Sequence, residues 1–571
     1  MMHKLFLTLL ILYSVGCSSI ISNKQLGDFK LKESYSQIEQ DPRVLHKYVS
    51  AELAFKNQDL DYAFKNFKKV STIADGKILK VEDRLFDLYL LNDDLVYALK
   101  TINNILNLDN KPEYYYYLAS LLQAQSKSKD ALLTLEMGLT EFPKSEFLNL
   151  HYLLYSYQKS EDFQRVINIY NQKKSTLDIE LSNYFIGRVA EENGNLDLAK
   201  KHFRLAIQDK SADSYLIQEI TRILIKQKDY AGLDNHITTY KDLNRELKQL
   251  DFAIGIKKDY SMLENYSKEK FQLISIEEVK NLISFQIAQK FVSYKDYSNL
   301  IKSLLVLLVK TPSYSEARFF LGTAYAIQNR SEESVRQLLK IEKEQNLYLR
   351  SRAFAVLVLK RNKEFSRAQA ILEEVLEVYP TKQTLIDLYS GILKEQKKYQ
   401  ELKEFLKITT KRLPKNENIR YQYASILFEL GSKTQSIKEI KKIIELNPNN
   451  GDALNFLAYF YAEKKTNLEE SLELIQKAIN KDPLNPYYID TLAFIQLQLG
   501  DLDTAEINIK KALKLLPDDP IVLEHHADIL DKRGERDKAQ QIYLESLKEA
   551  KAAEPSIEIE ALIKRLRKKI K

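Results

Sequence analysis

Large apolar and small residues recur along this chain at a regular interval, and the interval predicts the fold. Between residues 451 and 547, three helix–turn–helix units follow one another. Ser471, Ala505 and Ala539 occupy the same position in successive units and stand 34 residues apart. A fixed period near 34 residues, with small side chains at set places, is typical of an all-α solenoid built from repeated helix pairs.

Each unit repeats one order of side chains on its two helices. The first helix carries a large residue and then a small one, and the second carries Ala, a large apolar residue and Ala. In the middle unit these are Leu492, Ala493, Ala505, Ile509 and Ala512. Antiparallel helices approach closely only where side chains are tiny, and a larger residue there costs about 1–3 kcal/mol. After the helices, Pro517 cannot continue a helix, and Gly500 suits a left-handed cap.

The position in the second helix that Ser471, Ala505 and Ala539 occupy can be followed back to a first repeat near Arg43, although larger residues fill it in a few repeats. In an N-terminal run it falls at Ala63, Ala98, Ala131, Val166, Ala199 and Ala231. In a C-terminal run it falls at Leu300, Ser334, Ala368, Leu402 and Ser436. The register slips over residues 257–279, which are interpreted as a break in curvature, a hinge or a degenerate repeat. Roughly fourteen or fifteen units are predicted in all.

The residues predicted to pack helix against helix are small side chains on both the first and the second helices of the units. They are Ala63, Ala98, Ala131, Ala199, Gly322, Ala368, Ala424, Ala458, Ala478, Ala493, Ala505, Ala512, Ala527 and Ala539. A larger side chain at any of them is expected to push its two helices apart.

Composition agrees with a helical solenoid and narrows the function. Only 14 of the 571 residues are Gly and 12 are Pro, so few residues interrupt the helices. The net charge of +7 arises from 86 basic and 79 acidic residues spread through the chain. This near balance gives no strong indication of nucleic-acid binding, and we expect no nucleic-acid partner.

The first residues have the order of a bacterial export signal. One Lys precedes an apolar run over residues 5–12, which is too short to span a bilayer. Residues 14–17, Ser-Val-Gly-Cys, resemble a lipobox, although Leu is usual where Ser14 stands. Cys17 is the only Cys, so an internal disulfide is excluded. The resemblance implies lipidation of Cys17, and the alternative is an ordinary signal peptide that contains a Cys.

The residue after Cys17 is Ser18, not the Asp that resembles an inner-membrane retention signal. We therefore expect a lipid anchor on the periplasmic face of the outer membrane.

The predicted segments are a lipoprotein signal peptide (1–16), a lipid-anchored tether (17–42), an N-terminal array (43–245), an irregular junction (246–280), a C-terminal array (281–547) and a capping helix with a basic tail (548–571). The basic tail suits a helix C-terminus, and the alternative is contact with anionic lipid or a partner.

The sequence contains no pattern of an active site. It has no phosphate-binding loop and no His-Glu-x-x-His motif, and one Cys excludes Cys-based zinc spacing. Only His525 and His526 are adjacent, and helix register turns His525 to the groove and His526 to the core. We expect no catalytic residue, metal, cofactor or small-molecule substrate. An enzyme that uses the repeats as a substrate arm would need a catalytic fold within residues 242–280, a stretch that is too short.

The units resemble tetratricopeptide repeats. This resemblance implies a right-handed superhelical solenoid whose first helices line a concave face, where protein partners lie as extended or helical segments. The side chains predicted to line this groove are mostly aromatic, a type that favours interfaces. They are Tyr116, Tyr117, Tyr152, Tyr155, Tyr184 and Arg188 in the N-terminal run and Tyr421, Phe428, Phe456, Tyr459, Tyr487 and Phe494 in the C-terminal run. The alternative for each is packing between neighbouring repeats.

Residues 453–479 and 482–513 also resemble repeats of bacterial outer-membrane lipoproteins that recruit a carboxy-terminal processing protease to cell-wall hydrolases. That group usually has Gly or Trp where this chain has Ala458, Phe494 and Tyr543. The resemblance implies a membrane-tethered adaptor that holds a periplasmic processing protease and its peptidoglycan hydrolase clients. The alternative is an assembly scaffold for an envelope machine, such as a pilus, a secretion system or an outer-membrane complex.

Overall fold

The computed structural model describes residues 41–207, 214–242, 273–553 and 556–570, together with residues 244, 247–251, 254, 260 and 263–270. Regular secondary structure in these residues is helical throughout, and successive helices pack as pairs. The predicted all-α solenoid of antiparallel helix pairs is confirmed. The predicted signal peptide, Cys17 and the tether up to residue 40 lie outside the described residues.

The chain divides into two compact units, and the boundary along the chain lies between Val358 and Leu359. Unit 1 comprises the residues up to 358. Its first helices are α1 (Pro42–Lys56), α2 (Leu60–Ile73), α3 (Leu79–Leu91), α4 (Leu95–Leu108), α5 (Pro112–Ala124), α6 (Ser128–Glu141), α7 (Glu146–Tyr155), α8 (Phe163–Lys173), α9 (Ile179–Glu192), α10 (Leu196–Ala206), α11 (Ser214–Lys226) and α12 (Tyr230–Tyr240). Its later helices are α13 (Leu263–Lys270), α14 (Ile276–Ser293), α15 (Tyr297–Lys310), α16 (Ser315–Ile327) and α17 (Ser331–Leu339).

Unit 2 comprises residues 359–571, and α18 (Tyr348–Arg361) crosses the boundary. The further helices of unit 2 are α19 (Phe365–Val378), α20 (Gln383–Glu395), α21 (Tyr399–Arg412), α22 (Glu417–Glu429), α23 (Lys433–Leu446), α24 (Gly451–Lys464), α25 (Leu468–Lys481), α26 (Pro486–Leu499), α27 (Leu502–Leu515), α28 (Pro520–Lys532), α29 (Arg536–Ala552) and α30 (Ile557–Lys569).

A left-handed residue followed by an aspartate shapes several turns within the helix pairs. Asp59 and Asp501 each accept a hydrogen bond from the backbone N–H three residues later, at 3.1 and 3.4 Å. These bonds satisfy a free N–H at the start of the second helix. The preceding residues, Gln58 and Gly500, have φ of 65° and 83°. The predicted left-handed cap at Gly500 is confirmed, and a Gly adopts it without a steric penalty.

The small residues of the repeats lie where helices touch. Every residue predicted to pack within the repeats is buried. At Gly322, an added Cβ would stand 2.7 Å from Cγ of Leu338 on the facing helix. Where Ser replaces Ala, at Ser471, its hydroxyl donates to the carbonyl of Ala458 at 2.6 Å. At these residues the small position marks a point of close approach, where added volume has no room. The placement at Ala231 is wrong, because Ala231 is exposed and the buried residue at the corresponding place of α12 is Leu233.

Helix α15 is enclosed on all sides within unit 1. Nine consecutive residues, 300–308, are buried. The helix packs against α3 and α5, while α14 packs against α7 and α9. Since an ordinary surface helix buries only one stripe, burial around the whole circumference shows that α15 runs through the interior of unit 1.

Specific contacts hold α14 and α15, the helices that return to the start of the chain, against the N-terminal helices. The Tyr117 hydroxyl donates to Oδ1 of Asn299 at 3.0 Å, across 182 residues of sequence. The rings of Phe147 and Phe291 meet edge to face with their centroids 5.9 Å apart. The inner side of the N-terminal helices is therefore part of the core of unit 1.

The observed division of the chain differs from the predicted one. We expected a junction at residues 246–280 between arrays at 43–245 and 281–547. Instead, residues 276–310 pack back onto the N-terminal helices and belong to unit 1. A repeat period describes contacts between neighbouring units only, so it did not reveal this long-range return.

Lys302 carries a positive charge into the interior of unit 1. Its side chain is 2% exposed, and its Nζ lies 3.1 Å from Asp83 and 3.6 Å from Asp87. It also donates to Oγ of Ser298 at 2.7 Å. Burial alone would lower the pKa of Lys302, but the two carboxylates outweigh it and hold the pKa above its ordinary value. Burial also raises the pKa of Asp87 above its ordinary value, and the contacts of Lys302 with both aspartates fasten α15 to α3.

Replacing Lys302 by Ala is expected to lower the free energy of unfolding of unit 1 by about 3–5 kcal/mol, because the buried carboxylate of Asp87 loses the ammonium group beside it. Urea unfolding followed by circular dichroism measures the change. Lys65→Ala removes an exposed lysine of α2 and is the control, with an expected change within about 0.5 kcal/mol. Equal losses in the two variants would contradict a structural role for Lys302.

Candidate functional site

The groove residues predicted in the N-terminal run do not form an open surface. Tyr116, Tyr117, Tyr155, Tyr184 and Arg188 are at most 4% exposed. Helices α14 and α15 pack against the first helices that carry most of these side chains. The prediction that they line an open partner groove is therefore wrong, because the chain fills this side with its own helices.

The hydroxyl groups of these tyrosines bond inside unit 1. The Tyr155 and Ser120 hydroxyls lie 2.8 Å apart. Burial raises the pKa of Tyr116, Tyr117 and Tyr155 above the ordinary value, so all three stay neutral. Tyr152, the remaining tyrosine of this predicted groove, is half-buried and donates to Glu136 of α6 at 2.8 Å. These side chains are engaged in the packing of unit 1.

Arg188 belongs to a buried ionic cluster. It donates to Glu191 at 2.7 Å and to the carbonyl of Ile274 at 2.5 Å. Arg222 bonds both Glu191 and Glu219. Burial disfavours the charged form of Arg222, but these carboxylates outweigh it and raise its pKa. The cluster ties α9 to α11 and to the residues just before α14, so Arg188 has a structural role.

Five predicted groove residues of unit 2 form one aromatic strip: Tyr421, Phe428, Phe456, Tyr459 and Phe494. Phe456 meets Tyr421 and Phe428 edge to face, with ring centroids 5.9 and 5.2 Å apart. Tyr459, one turn further along α24, stacks on Phe494 at 5.3 Å. All five are half-buried. The aromatic strip therefore crosses α22, α24 and α26, the first helices of three consecutive repeats, and keeps part of its surface open.

Tyr487, the sixth groove residue predicted in unit 2, lies at the beginning of α26. It is 54% exposed, and the nearby Leu484 is 75% exposed. Tyr487 thus adds apolar surface on the helix that carries Phe494. Single exposed apolar residues are common on proteins, so the strip itself is the more informative feature.

His525 continues the aromatic contacts onto α28 as a buried group. Its ring stacks on Phe494 at 4.5 Å, and its Nδ1 lies 2.9 Å from Oδ1 of Asp490. His525 lies against the predicted groove residues Phe494 and Tyr459, as helix register predicts, but it is only 3% exposed and offers no open surface. Burial alone would lower the pKa of His525, but Asp490 and the nearby Glu524 outweigh it and raise the pKa.

Helix α30 packs on the last repeat through both apolar and charged contacts, and its Glu560 also accepts a hydrogen bond from Lys397, just before α21, at 2.9 Å. Leu562 and Leu566 are fully buried in a cluster with residues of α28 and α29. Arg565 donates to Glu524 at 2.7 Å, and Lys569 donates to Asp528 at 2.6 Å. Two cations of the basic tail therefore pair within the chain, which helix-dipole reasoning alone did not identify.

A polar cleft of about 220 Å³ opens beside the aromatic strip. It is lined by Gln383, Asp387, Glu417, Asn418, Tyr421, Gln422, Asn450 and Asp452. Gln422 donates to Asp387 at 2.9 Å, and Asn450 donates to Glu417 at 2.6 Å. Amides that hold carboxylates suit hydrogen bonding to a peptide backbone or a cationic side chain. Sequence reasoning missed this cleft because its residues come from the ends of several helices.

The described residues contain no group of three or more His, Cys, Asp or Glu side chains placed to hold a metal ion. Over the same part of the chain, no helix is long and apolar enough to cross a membrane. Half-exposed aromatic side chains and hydrogen-bonding groups next to them are features of a protein-binding surface.

The pairing of His525 with Asp490 makes the stability of unit 2 depend on pH. Because the folded-state pKa of His525 lies above the unfolded value near 6.5, its stabilisation is full below that value and is lost as pH rises through the folded-state pKa. The free energy of unfolding should therefore decrease more between pH 6 and pH 8 in the natural protein than in His525→Gln. The same pH dependence of the unfolding free energy in both proteins would contradict a stabilising pair of His525 and Asp490. The contributions of the other histidines cancel when the two proteins are compared.

Comparisons with known proteins agree with this architecture. A family model described as tetratricopeptide repeat matches residues 418–450, which include α23 and all of α22 except its first residue. The chain is 31% identical over 124 residues to the TPR repeat-containing protein PA4667 of Pseudomonas aeruginosa, covering 22% of this chain and 20% of that protein. It is 24% identical over 256 residues to the TPR repeat-containing protein MJ1428 of Methanocaldococcus jannaschii, covering 37% and 44%. The chain thus spans less than half the length of either relative.

Among solved structures, the chain is similar to a tetratricopeptide repeat protein from Parabacteroides merdae, with 14% identity and a TM-score of 0.36 over 44% of this chain and 98% of that one. It is also similar to the APC/C hetero-tetramer Cut9-Hcn1, with 13% identity and a TM-score of 0.32 over 94% and 99%. The family match, the relatives and the stacked helix pairs lead to one conclusion. Residues 418–450 match a tetratricopeptide repeat, and the stacked helix pairs have the fold of a tetratricopeptide-repeat solenoid.

Proposed function

We propose that this protein is a non-catalytic, membrane-anchored scaffold that binds protein partners in the periplasm through the aromatic strip of unit 2. The observation that carries the proposal is the strip itself, a row of partly exposed aromatic side chains on three consecutive first helices. Tetratricopeptide repeats imply a protein-binding scaffold, and the strip indicates where a partner would lie.

The chemistry of the strip suits a peptide or helix with apolar side chains. Large aromatic rings bury much apolar area, and Tyr421 and Tyr459 add a hydroxyl at the edge of that area. The polar cleft continues the surface with amides and carboxylates that can bond a partner backbone. An apolar centre with a polar rim is the usual anatomy of a protein interface.

The identity of the partner rests on the resemblance to lipoproteins that serve a carboxy-terminal processing protease. The residues that carry this resemblance, 453–479 and 482–513, include Phe456, Tyr459 and Phe494 of the strip. We therefore propose that the strip holds the processing protease or its peptidoglycan hydrolase clients. Because α14 and α15 cover the predicted groove residues of unit 1, unit 2 is the better candidate for the surface that binds a partner.

Replacing Phe428 and Phe456 together by Ala is expected to weaken partner binding about 30-fold or more, as for aromatic residues at the centre of an interface. The mature chain, with Cys17→Ser for solubility, would be immobilised and exposed to envelope extract. Bound proteins would be identified by mass spectrometry, and a captured protease would be purified and titrated. Ile507→Ala with Leu544→Ala is the matched control, since both are exposed apolar residues of second helices.

Capture of a processing protease with peptidoglycan hydrolases, lost only in the strip variant, supports the adaptor. Capture of pilus, secretion or outer-membrane assembly components without a protease sinks the adaptor and favours the assembly scaffold. Equal binding by the strip variant and the control variant would show that the strip is not the interface.

Cys17→Ser is expected to move the protein from the membrane fraction to the soluble periplasmic fraction. Acyl chains attached to Cys17 would supply the anchor, since each buried CH₂ contributes about 0.8 kcal/mol and more than one chain makes anchoring stable. Mass spectrometry of the N-terminal peptide tests the same point directly. A natural protein with an unmodified Cys17, found in the soluble fraction, would contradict lipid anchoring.

A further inference from the structure

A second cleft, in unit 1, lies where the returning helix α15 meets the turn between α3 and α4. Its volume is about 240 Å³. The floor is formed by Leu90, Leu91, Leu305 and Leu308, which are between 3% and 6% exposed. We call it the leucine cleft. It is a separate site from the aromatic strip, and its residues all belong to unit 1.

A guanidinium group without a carboxylate partner stands at the rim of the leucine cleft. Arg318 donates to Oε1 of Gln337 at 2.9 Å and to the carbonyl of Pro312 at 2.5 Å, and both acceptors are neutral. In the described residues no carboxylate lies within ion-pair distance of Arg318. Burial lowers the pKa of Arg318, opposed from a distance by Asp93 and Glu342. The group keeps its charge, because an arginine is not deprotonated in proteins.

The other cation of the rim is only loosely held. Nζ of Lys340 lies 3.7 Å from Asp93, and the two side chains are 40% and 78% exposed. An exposed pair at this distance contributes little stability, so Lys340 can turn to another anion at small cost. Two cations and one solvated carboxylate therefore line the mouth of an apolar cleft.

We propose that the leucine cleft binds a carboxylate that is attached to an apolar group. The planar guanidinium of Arg318 presents paired N–H donors that match a carboxylate, and the leucine floor removes the apolar group from water. The cleft is smaller than the 300–1,000 Å³ usual for a drug-sized ligand, so it has room for one apolar side chain. The C-terminal residue of a peptide and a medium-chain fatty acid both have this chemistry.

Isothermal titration calorimetry of the full mature chain with Cys17→Ser tests the proposal with matched probes. One pair is a short alanine-based peptide ending in leucine, as the free acid and as the C-terminal amide. The other pair is octanoate and octanamide. The acid of at least one pair is expected to bind about ten-fold or more tightly than its amide, since a charge-assisted hydrogen bond is lost in the amide.

Arg318→Gln is expected to remove most of this preference for the acid. Arg336→Gln is the control, because Arg336 lies exposed on α17 outside the cleft. Circular dichroism establishes that each variant is folded. Lys340→Glu provides an independent test at an exposed position, and its reversed charge should also weaken binding of the acid about ten-fold.

The two probe pairs distinguish the sources of the ligand. Preference for the free-acid peptide identifies a protein C-terminus, and preference for octanoate alone identifies an acyl chain. Absence of binding by both acids, equal binding of acid and amide, or the same loss in Arg336→Gln as in the cleft variants would overturn the proposal. None of these outcomes bears on the aromatic strip, which unit 2 carries alone.

Discussion

A pair of antiparallel helices hides only the faces that it turns to its own neighbours, so the inner side of an array stays open unless another part of the chain covers it. In unit 1 the chain supplies that cover itself. Helices α14 and α15 return to the N-terminal helices, and residues 300–308 of α15 are buried around the whole helix. This long-range packing, anchored by Lys302 on Asp83 and Asp87, decides which surfaces of the protein remain open.

The two units consequently differ in what they offer to a partner. In unit 1 the Tyr155 hydroxyl bonds to Ser120 of the neighbouring first helix, the Tyr117 hydroxyl bonds to Asn299 of α15, and Arg188 enters a buried ionic cluster. In unit 2 equivalent aromatic positions keep part of their surface exposed. The same kind of side chain at the same place in the repeat is fully buried in one unit and only partly buried in the other.

Local features of the fold were predictable from the sequence, and the closure of unit 1 was not. The spacing of Ala505 and Ala539 predicted the helix pairs, because close helix contacts depend on side chains only a few residues away. The return of α15 depends on partners such as Tyr117 and Asn299, which are 182 residues apart. One signal was present: residues 300–309 are apolar on every side of a helix except for Lys302 and Ser303, a composition that indicates complete burial. A repeat pattern assumes that each helix keeps one exposed face, so it did not predict the complete burial of α15.

Hydrogen exchange of the full chain, followed by mass spectrometry, tests the central claim that α14 and α15 belong to the core of unit 1. The account predicts that amides of α15 exchange as slowly as those of α3 and α5, since all three are released only when unit 1 opens as a whole. Exchange of α15 that is orders of magnitude faster, while α3 and α5 stay protected, would show that the inner side of unit 1 is free, and it would contradict the account.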